Sequence, residues 1–419
     1  MLQETSISDE HTAENVRTSS DHSIPKEKYE VDEPVGISGT YEDDYPDGGV
    51  RAWLIVAGPP DLFFLFVFPS FGYVNSWGIF QKYYQETLLQ DLSPSTIAWI
   101  GSIQYSLVFL PGLFVGRLFD LGYFRLVFLI SSGVLVGATF LAAQCTQYWQ
   151  FLLCQGILVG AACGGIFGPT AAVIAHWFKK RRGLAMGIVA MGSSLGGTIL
   201  PITAKNLLPK VGFPWTMRCL GFILLAILGA SNLLIKRRLP PRRVEGGLLN
   251  LRAFKSAPYS VYCASSFVTF LGIYTLLTYV GVSATSIGIS SEFSFYFVAI
   301  ANASSFFGRY TAGNLCDRLG PMNVMIPFTA VSGILTYAWP FAQSESSLIA
   351  VTVIYGFCSG VYVSLLSNPI MEMGEPWDVG RRTGMFMSIS AVGALAGPPI
   401  SGAIKSATGD FKAVGYYAG

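Results

Sequence analysis

Charge is what this 419-residue chain has least of: Asp, Glu, Lys and Arg make up 12% of it, against roughly 25% in soluble domains. Between Arg125 and Lys179 none of the four occurs. Histidine is nearly absent as well, with three copies, two of which (His11 and His22) lie near the start. That excludes a metal site built from histidines and the His-Glu-x-x-His arrangement. No Gly-Lys dipeptide occurs, so there is no phosphate-cradling loop and no basis for ATP-driven work. No Ser, His and acid set shares one loop, which removes the usual hydrolase signatures. The seven cysteines contain no Cys-x-x-Cys pair and sit in apolar segments, where a free thiol packs as a small apolar group. The expectation is a protein with no catalytic residues, no cofactor, no metal and no nucleic-acid partner.

What is present is apolar surface. Hydrophobic residues make up 52% of the chain and aromatic residues 14%, a membrane composition. A bilayer-spanning helix needs about 20 mostly apolar residues, because the hydrocarbon layer is about 30 Å thick and a helix rises about 1.5 Å per residue. By that ruler eleven spans are expected, near 53–79, 95–115, 124–143, 149–175, 183–204, 213–235, 257–282, 293–313, 321–341, 347–371 and 383–404. Residues 1–50 hold thirteen acidic and three basic side chains, and 51–419 hold twelve and twenty-four. So acidic and apolar-poor a tail cannot bury enough surface to fold, and it shows no signal peptide. Lys and Arg crowd alternate loops: Arg117 and Arg125, then 179–182, then the seven of 236–255, then Arg318, then Arg381 and Arg382. The bias of basic residues toward the cytosol places the N-terminal tail there.

The chain also repeats itself. QGILVG (155–160) and YGFCSG (355–360) match at an offset of 200, with Pro169 over Pro369. RGLAMGIVAMGSSLGG (182–197) falls on TGMFMSISAVGALAGP (383–398) at an offset of 201, and GRLFD (116–120) on GNLCD (313–317) at 197. Three matches in order predict two homologous halves arranged in parallel. The expected organisation is a disordered tail over 1–48, a six-helix bundle over 49–235, a basic cytosolic loop over 236–256 and a second bundle over 257–419, in which five spans are visible.

The duplicated loop carries the motif Gly-x-x-x-Asp-Arg/Lys-x-Gly-x-Arg/Lys, as GRLFDLGYFR (116–125) and GNLCDRLGPMN (313–323). In this the chain resembles the major facilitator superfamily. DGGVRAW (47–53), FGYVNSWGIFQKYY (71–84), HWFKKRRGLAMGIVAMGSSLGG (176–197) and GRYTAGNLCDRLG (308–320) make it similar to the monocarboxylate-porter family, in particular its fungal branch. The resemblance implies an all-α membrane fold of two pseudo-repeated bundles, six plus five spans here, with the family's twelfth helix missing after TGDFKAVGYYAG. It implies a secondary transporter that moves a small organic solute, a carboxylate or an exported secondary metabolite, by alternating access in a cell membrane, with a coupling proton as a further partner. Weak or absent transport is expected from a chain lacking helix 12; a non-transporting nutrient sensor is the alternative from another class.

Candidate site residues follow. The loop motif gives Gly116, Asp120 and Arg125 and again Gly313, Asp317 and Arg318, with each Asp placed to accept hydrogen bonds from a neighbouring helix N-terminus that its glycine lets approach. Arg309 sits alone at the end of an uncharged run. An Arg in a bilayer must face a cavity or a partner, or snorkel to the interface. The resemblance implies that it binds a substrate carboxylate. The family's helix 1 lysine is Asn75 here and its helix 8 aspartate is Ser305. Asn75 reads either as a hydrogen-bonding group for solute or as a packing residue. Asp61, in GPPDLFFLF, reads as a distorted opening turn ahead of a proton site. Asn302-Ala303-Ser304 fits a glycosylation pattern but lies inside a span.

Overall fold

The computed structural model describes residues 64–178, 181–234, 247–374 and 378–419. Asp61, the acidic tail and most of the basic loop lie outside these. Every element among the described residues is helical.

Span 1 is α1 (Phe64–Asn75) and α2 (Trp77–Tyr83), continued by a π turn at Tyr84–Leu88. Span 2 is α3 (Pro94–Phe109) and α4 (Gly112–Asp120), and span 3 is α5 (Phe124–Ala142). Ser93 caps α3 by accepting from the Thr96 backbone N–H at 3.2 Å, which supplies a partner to a donor that has none inside the helix. Span 4 is α6 (Tyr148–Phe151), a second π turn at Leu152–Leu158 and α7 (Val159–Trp177). The two π turns meet, because the Tyr84 hydroxyl donates to the Gln155 side chain.

Spans 5 and 6 form one long helical element, α8 (Arg182–Leu234), broken at Gly212, whose φ of 72° and ψ of 172° leave the helical region. Only glycine holds such a conformation without strain. After the central loop come α9 (Ala257–Gly272) and α10 (Thr275–Ser286), then α11 (Ser291–Ser294) and α12 (Tyr296–Leu319). Span 9 is α13 (Pro321–Ala338); span 10 is α14 (Glu345–Leu365) with α15 (Asn368–Glu372); span 11 is α16 (Val379–Thr408), followed by α17 (Phe411–Ala418). The α16 helix runs through Pro398 and Pro399 without interruption.

Eight helices among the described residues are long and apolar enough to cross a membrane. The difference from eleven has three causes. The α8 element holds two spans, α1 starts at the edge of the described residues, and α12 is too polar, carrying Asn302, Arg309, Asp317 and Arg318. Large apolar side chains such as Phe114, Val261, Phe307 and Ile334 remain exposed, as a lipid-facing surface requires.

The two halves correspond through their closest contacts. A methyl group placed on Gly116 would lie 2.2 Å from the Gly380 carbonyl oxygen, and one on Gly313 would lie 2.6 Å from that of Gly183. Gly183 therefore answers to Gly380, 197 positions on. Likewise Gly160 approaches the Gln104 carbonyl and Gly356 that of Ala301, which pairs Gly160 with Gly356. The offsets of 201 and 200 expected from the sequence for these two helices are each four residues too large. Small residues spaced by four give almost the same pattern after a slip of one helical turn, so the sequence alone cannot fix the register.

Candidate functional site

The second copy of the loop motif is fully placed. Asp317, near the end of α12, accepts from the backbone N–H of Gly183 at 2.7 Å and from that of Leu184 at 3.0 Å, one with each carboxylate oxygen. Both donors belong to the first turn of α8, where backbone N–H groups lack helical partners and the helix dipole favours an anion. The carboxylate thus caps a helix of the opposite half. Gly183 and Gly313 permit it: a methyl on Gly183 would lie 2.7 Å from Asp317 Oδ1 and 2.8 Å from the Gly313 carbonyl oxygen. Arg318 and Arg125 are exposed at their helix ends.

The first copy docks α4 on the start of α16. Gly116 meets Gly380, and Gly112 and Gly384 approach each other backbone to backbone, with 2.4 Å between a Gly384 methyl and the Gly112 carbonyl oxygen. Asp120 ends α4. Beside this junction lies an ionic cluster absent from the sequence expectations. Asp378 pairs with the Arg381 Nε, lies 3.7 Å from Arg382 Nε, and accepts from Asn250 Nδ2 at 2.6 Å. Both arginines are buried, whereas cytosolic loop residues would be solvated. Burying charge demands such pairing, and here the pairing ties the segment after the central loop to α16.

Arg309 lies in the seam between α12 and α8 and is 9% exposed. Its Nε donates to Ser305 Oγ at 3.0 Å and its Nη1 to the Ala190 carbonyl at 3.2 Å. Ser194, across the seam on α8, donates to Ser305 Oγ at 3.2 Å. Ser305 is therefore the partner of the arginine, and among the described residues lining the cavity no carboxylate balances the guanidinium charge. The side chain does not snorkel; it lines a cavity.

Asn75 lines the same cavity. Its Nδ2 lies 3.5 Å from Asn302 Oδ1, and its Oδ1 accepts from the Tyr105 hydroxyl at 3.1 Å. Asn302 in turn donates to the Val298 carbonyl at 3.0 Å and the Gly197 carbonyl at 3.4 Å. The Tyr105 and Tyr274 rings tilt together with centroids 5.2 Å apart. Phe71, Ile273, Leu277, Ala301, Gly356, Ser359 and Val363 complete the wall, with Tyr274, Ser305 and Arg309. Among these lining residues there is one cation and no carboxylate.

Arg309 and Asn75 were expected from the sequence, and the structure brings them to one cavity. Asn302 and Tyr274 were not expected there, nor was Tyr105 as the partner of Asn75. A signal for Asn302 existed, since residues 302, 305 and 309 recur at the three- and four-residue spacing of one helix face.

Apolar helices long enough to cross a membrane, with a cavity between the halves that holds Asn75, Asn302, Ser305 and Arg309, fit a multi-pass membrane transporter. The chain belongs to the major facilitator superfamily: the Major Facilitator Superfamily family model matches residues 62–366 and 259–419. It is 38% identical to the Aspyridones efflux protein apdF of Emericella nidulans over 374 residues, covering 89% of this chain and 75% of that protein. It is also 38% identical to the MFS transporter asaE of Aspergillus flavus over 383 residues, with 90% and 85% covered. Among solved structures, the human organic anion transporter MFSD10 (TETRAN) superposes with a TM-score of 0.66 at 16% identity, over 88% of this chain and 97% of that one. The E. coli fucose:proton symporter FucP gives 0.66 at 15% identity, over 85% and 94%. These superpositions establish a shared fold.

Proposed function

We propose that this transporter carries a small organic anion, a metabolite leaving the cell, and that Arg309 is its anchor. The observation that carries the reading is a guanidinium in the inter-half cavity that meets no carboxylate among the described lining residues. Its Nε and one Nη bond are taken by a hydroxyl and a backbone carbonyl, neither of which neutralises charge. An ionised carboxyl or acidic enol entering the cavity would supply the missing counter-charge, and the planar fork of Arg suits two parallel bonds to it. Efflux is supported by the resemblance to the Aspyridones efflux protein of Emericella nidulans, and a cytosolic N-terminus by the loop charges; placement in the cell membrane goes with the efflux reading.

In this reading the Asp317 contact with Gly183 and Leu184 is the cytosolic latch of alternating access. It parts when α12 and α8 separate and re-forms when they close. Gly116, Asp120 and Arg125 serve the matching junction of α4 with α16, and Arg318 flanks the first latch. The described cavity residues include no carboxylate, so a coupling proton would need a carrier elsewhere.

Counterflow in proteoliposomes tests the anchor. With an aryl carboxylate as the exchanged solute, Arg309→Ala should lose most of the exchange and Arg309→Lys should recover part of it. Equal exchange by the parent and Arg309→Ala would overturn the anchor, and binding without exchange by the parent would favour a sensor.

A further inference from the structure

The cavity offers a second, neutral recognition element, and it spans the two halves. Asn302 has its amide orientation fixed: Nδ2 faces two backbone carbonyls, those of Val298 and Gly197. Its Oδ1 therefore points at Asn75 as an acceptor. Asn75 must then present its NH2 to that oxygen, and its own Oδ1 is occupied by the Tyr105 hydroxyl. The contact between the two amides is long, at 3.5 Å, the outer limit of a hydrogen bond. So the seam holds one weakly used donor from α1 and one weakly used acceptor from α12, side by side. Gly197 makes the arrangement fit, because a methyl there would lie 2.7 Å from Asn75 Nδ2.

A donor next to an acceptor is complementary to a solute group that presents an acceptor next to a donor. From this we infer that the transported anion carries a second group of the lactam or secondary-amide type, whose C=O accepts from Asn75 and whose N–H donates to Asn302. The inference rests on the reading of this cavity as the solute site. Asn302 and Arg309 are seven residues apart on one helix, about 10 Å along its axis at about 1.5 Å per residue. The solute would therefore be an elongated, amphiphilic weak acid with its acidic group at Arg309 and its lactam at the asparagines. Phe71 and Tyr274, which line the cavity, would supply aromatic surface to the apolar body. Each half of the protein would hold one side of the lactam, so loading would replace a weak bridge between the halves with a stronger one.

The test uses the purified full chain and two probes, 3-(2-oxoindolin-5-yl)propanoate and its N-methyl derivative, with binding measured by isothermal titration calorimetry. A site built to bond an N–H rejects the analogue lacking it, because its own polar atom is left unpaired. The parent should bind the unmethylated probe at least about tenfold tighter. Asn302→Ala should bring the ratio close to one while its melting temperature stays within a few degrees of the parent. Asn75→Leu is the second variant: it removes the donor to the solute C=O and should weaken both probes while the ratio persists. Failure of the parent to bind the unmethylated probe, or a parent ratio within about twofold, would overturn the lactam assignment.

Arg309→Ala separates this from the anchor reading. It should weaken both probes equally and leave the ratio intact. A preserved ratio with unchanged affinity would remove the anchor and keep the lactam site. Weakened binding by Arg309→Ala beside a flat parent ratio would do the opposite.

Discussion

At the residue scale, Ser305 governs how much of the Arg309 charge a solute meets. Its hydroxyl accepts from Arg309 Nε and from Ser194, and it is wedged against Gly360, where a methyl would lie 2.4 Å from Ser305 Oγ. Ser305→Ala would leave a buried charged donor without one partner, at a cost of about 1–3 kcal/mol. The melting temperature should fall, and bound aryl carboxylate should restore it by occupying the freed Nε. A variant as stable as the parent with unchanged ligand stabilisation would show that the serine is inert. Gly360→Ser pushes on the same hydroxyl and, with its Cβ 2.9 Å from the Ser305 carbonyl oxygen, on the α12 backbone, and should lower anion affinity. Arg309 itself was legible in the sequence because charge is so rare there. Asn302 was legible only as a residue on the face of Ser305 and Arg309, since uncharged amides occur in spans for packing as often as for binding, and the fixed orientation of its amide is what distinguishes the two.

At the scale of elements, the first turn of α8 depends on a carboxylate from another helix. Asp317→Asn keeps one acceptor oxygen but turns the other position into an amide NH2 facing the N–H of Gly183 or Leu184. It also removes the anion favoured by the helix dipole, worth about 0.3–1 kcal/mol for an exposed site. The expected result is a modest loss of thermal stability and a larger share of the open form, read as faster labelling of the native Cys316, which is buried beside Gly183. Unchanged labelling would mean that the contact does not hold the seam. Gly313→Val acts by volume instead. Even one added carbon would lie 2.6 Å from the Gly183 carbonyl and 2.9 Å from Leu184 Cα, both backbone atoms that cannot swing aside. Exchange should be lost while solute binding survives, as binding and exchange measurements on the same preparation would show.

The elements themselves were largely readable from apolar length, including the break between spans 5 and 6 that Gly212 provides. Their register across the repeat was not. Gly156, Gly160 and Gly164 present nearly the same small-residue ladder after a shift of four, and the backbone contacts with Ile100, Gln104 and Leu107 are what select one rung. The Gly-x-x-x-Asp loops escaped this ambiguity because their Asp is unique within its turn.

At the scale of the whole molecule, the α8–α12 seam is closed at both ends. At the end opposite Asp317, Lys205 lies 4.0 Å from the Tyr296 ring centroid and 4.6 Å from that of Phe295, and donates to the Glu292 carbonyl at 3.1 Å. Lys82 joins it by donating to Ser291 Oγ at 2.8 Å. A cation over an exposed aromatic face contributes about 0.5–1 kcal/mol, so neither end is locked strongly. Alternating access requires each end to open in turn. Joining Gly183→Cys to Asp317→Cys, with Cys316→Ala to prevent mispairing, would fasten the Asp317 end. The side chains to be linked face each other, because a Gly183 methyl would sit 2.7 Å from Asp317 Oδ1. Oxidation should arrest exchange and reductant should restore it, while each single cysteine exchanges as the unlinked pair does. Exchange that continues in the oxidised protein would mean that solute passes without parting this end, and the two-gate reading of the seam would fail. Lys205→Met in the linked protein then isolates the other end: it removes the cation and keeps the apolar stem. Solute added outside should reach the Arg309 cavity faster in that variant than in the linked parent, because only the lysine contacts would still hold the far end shut.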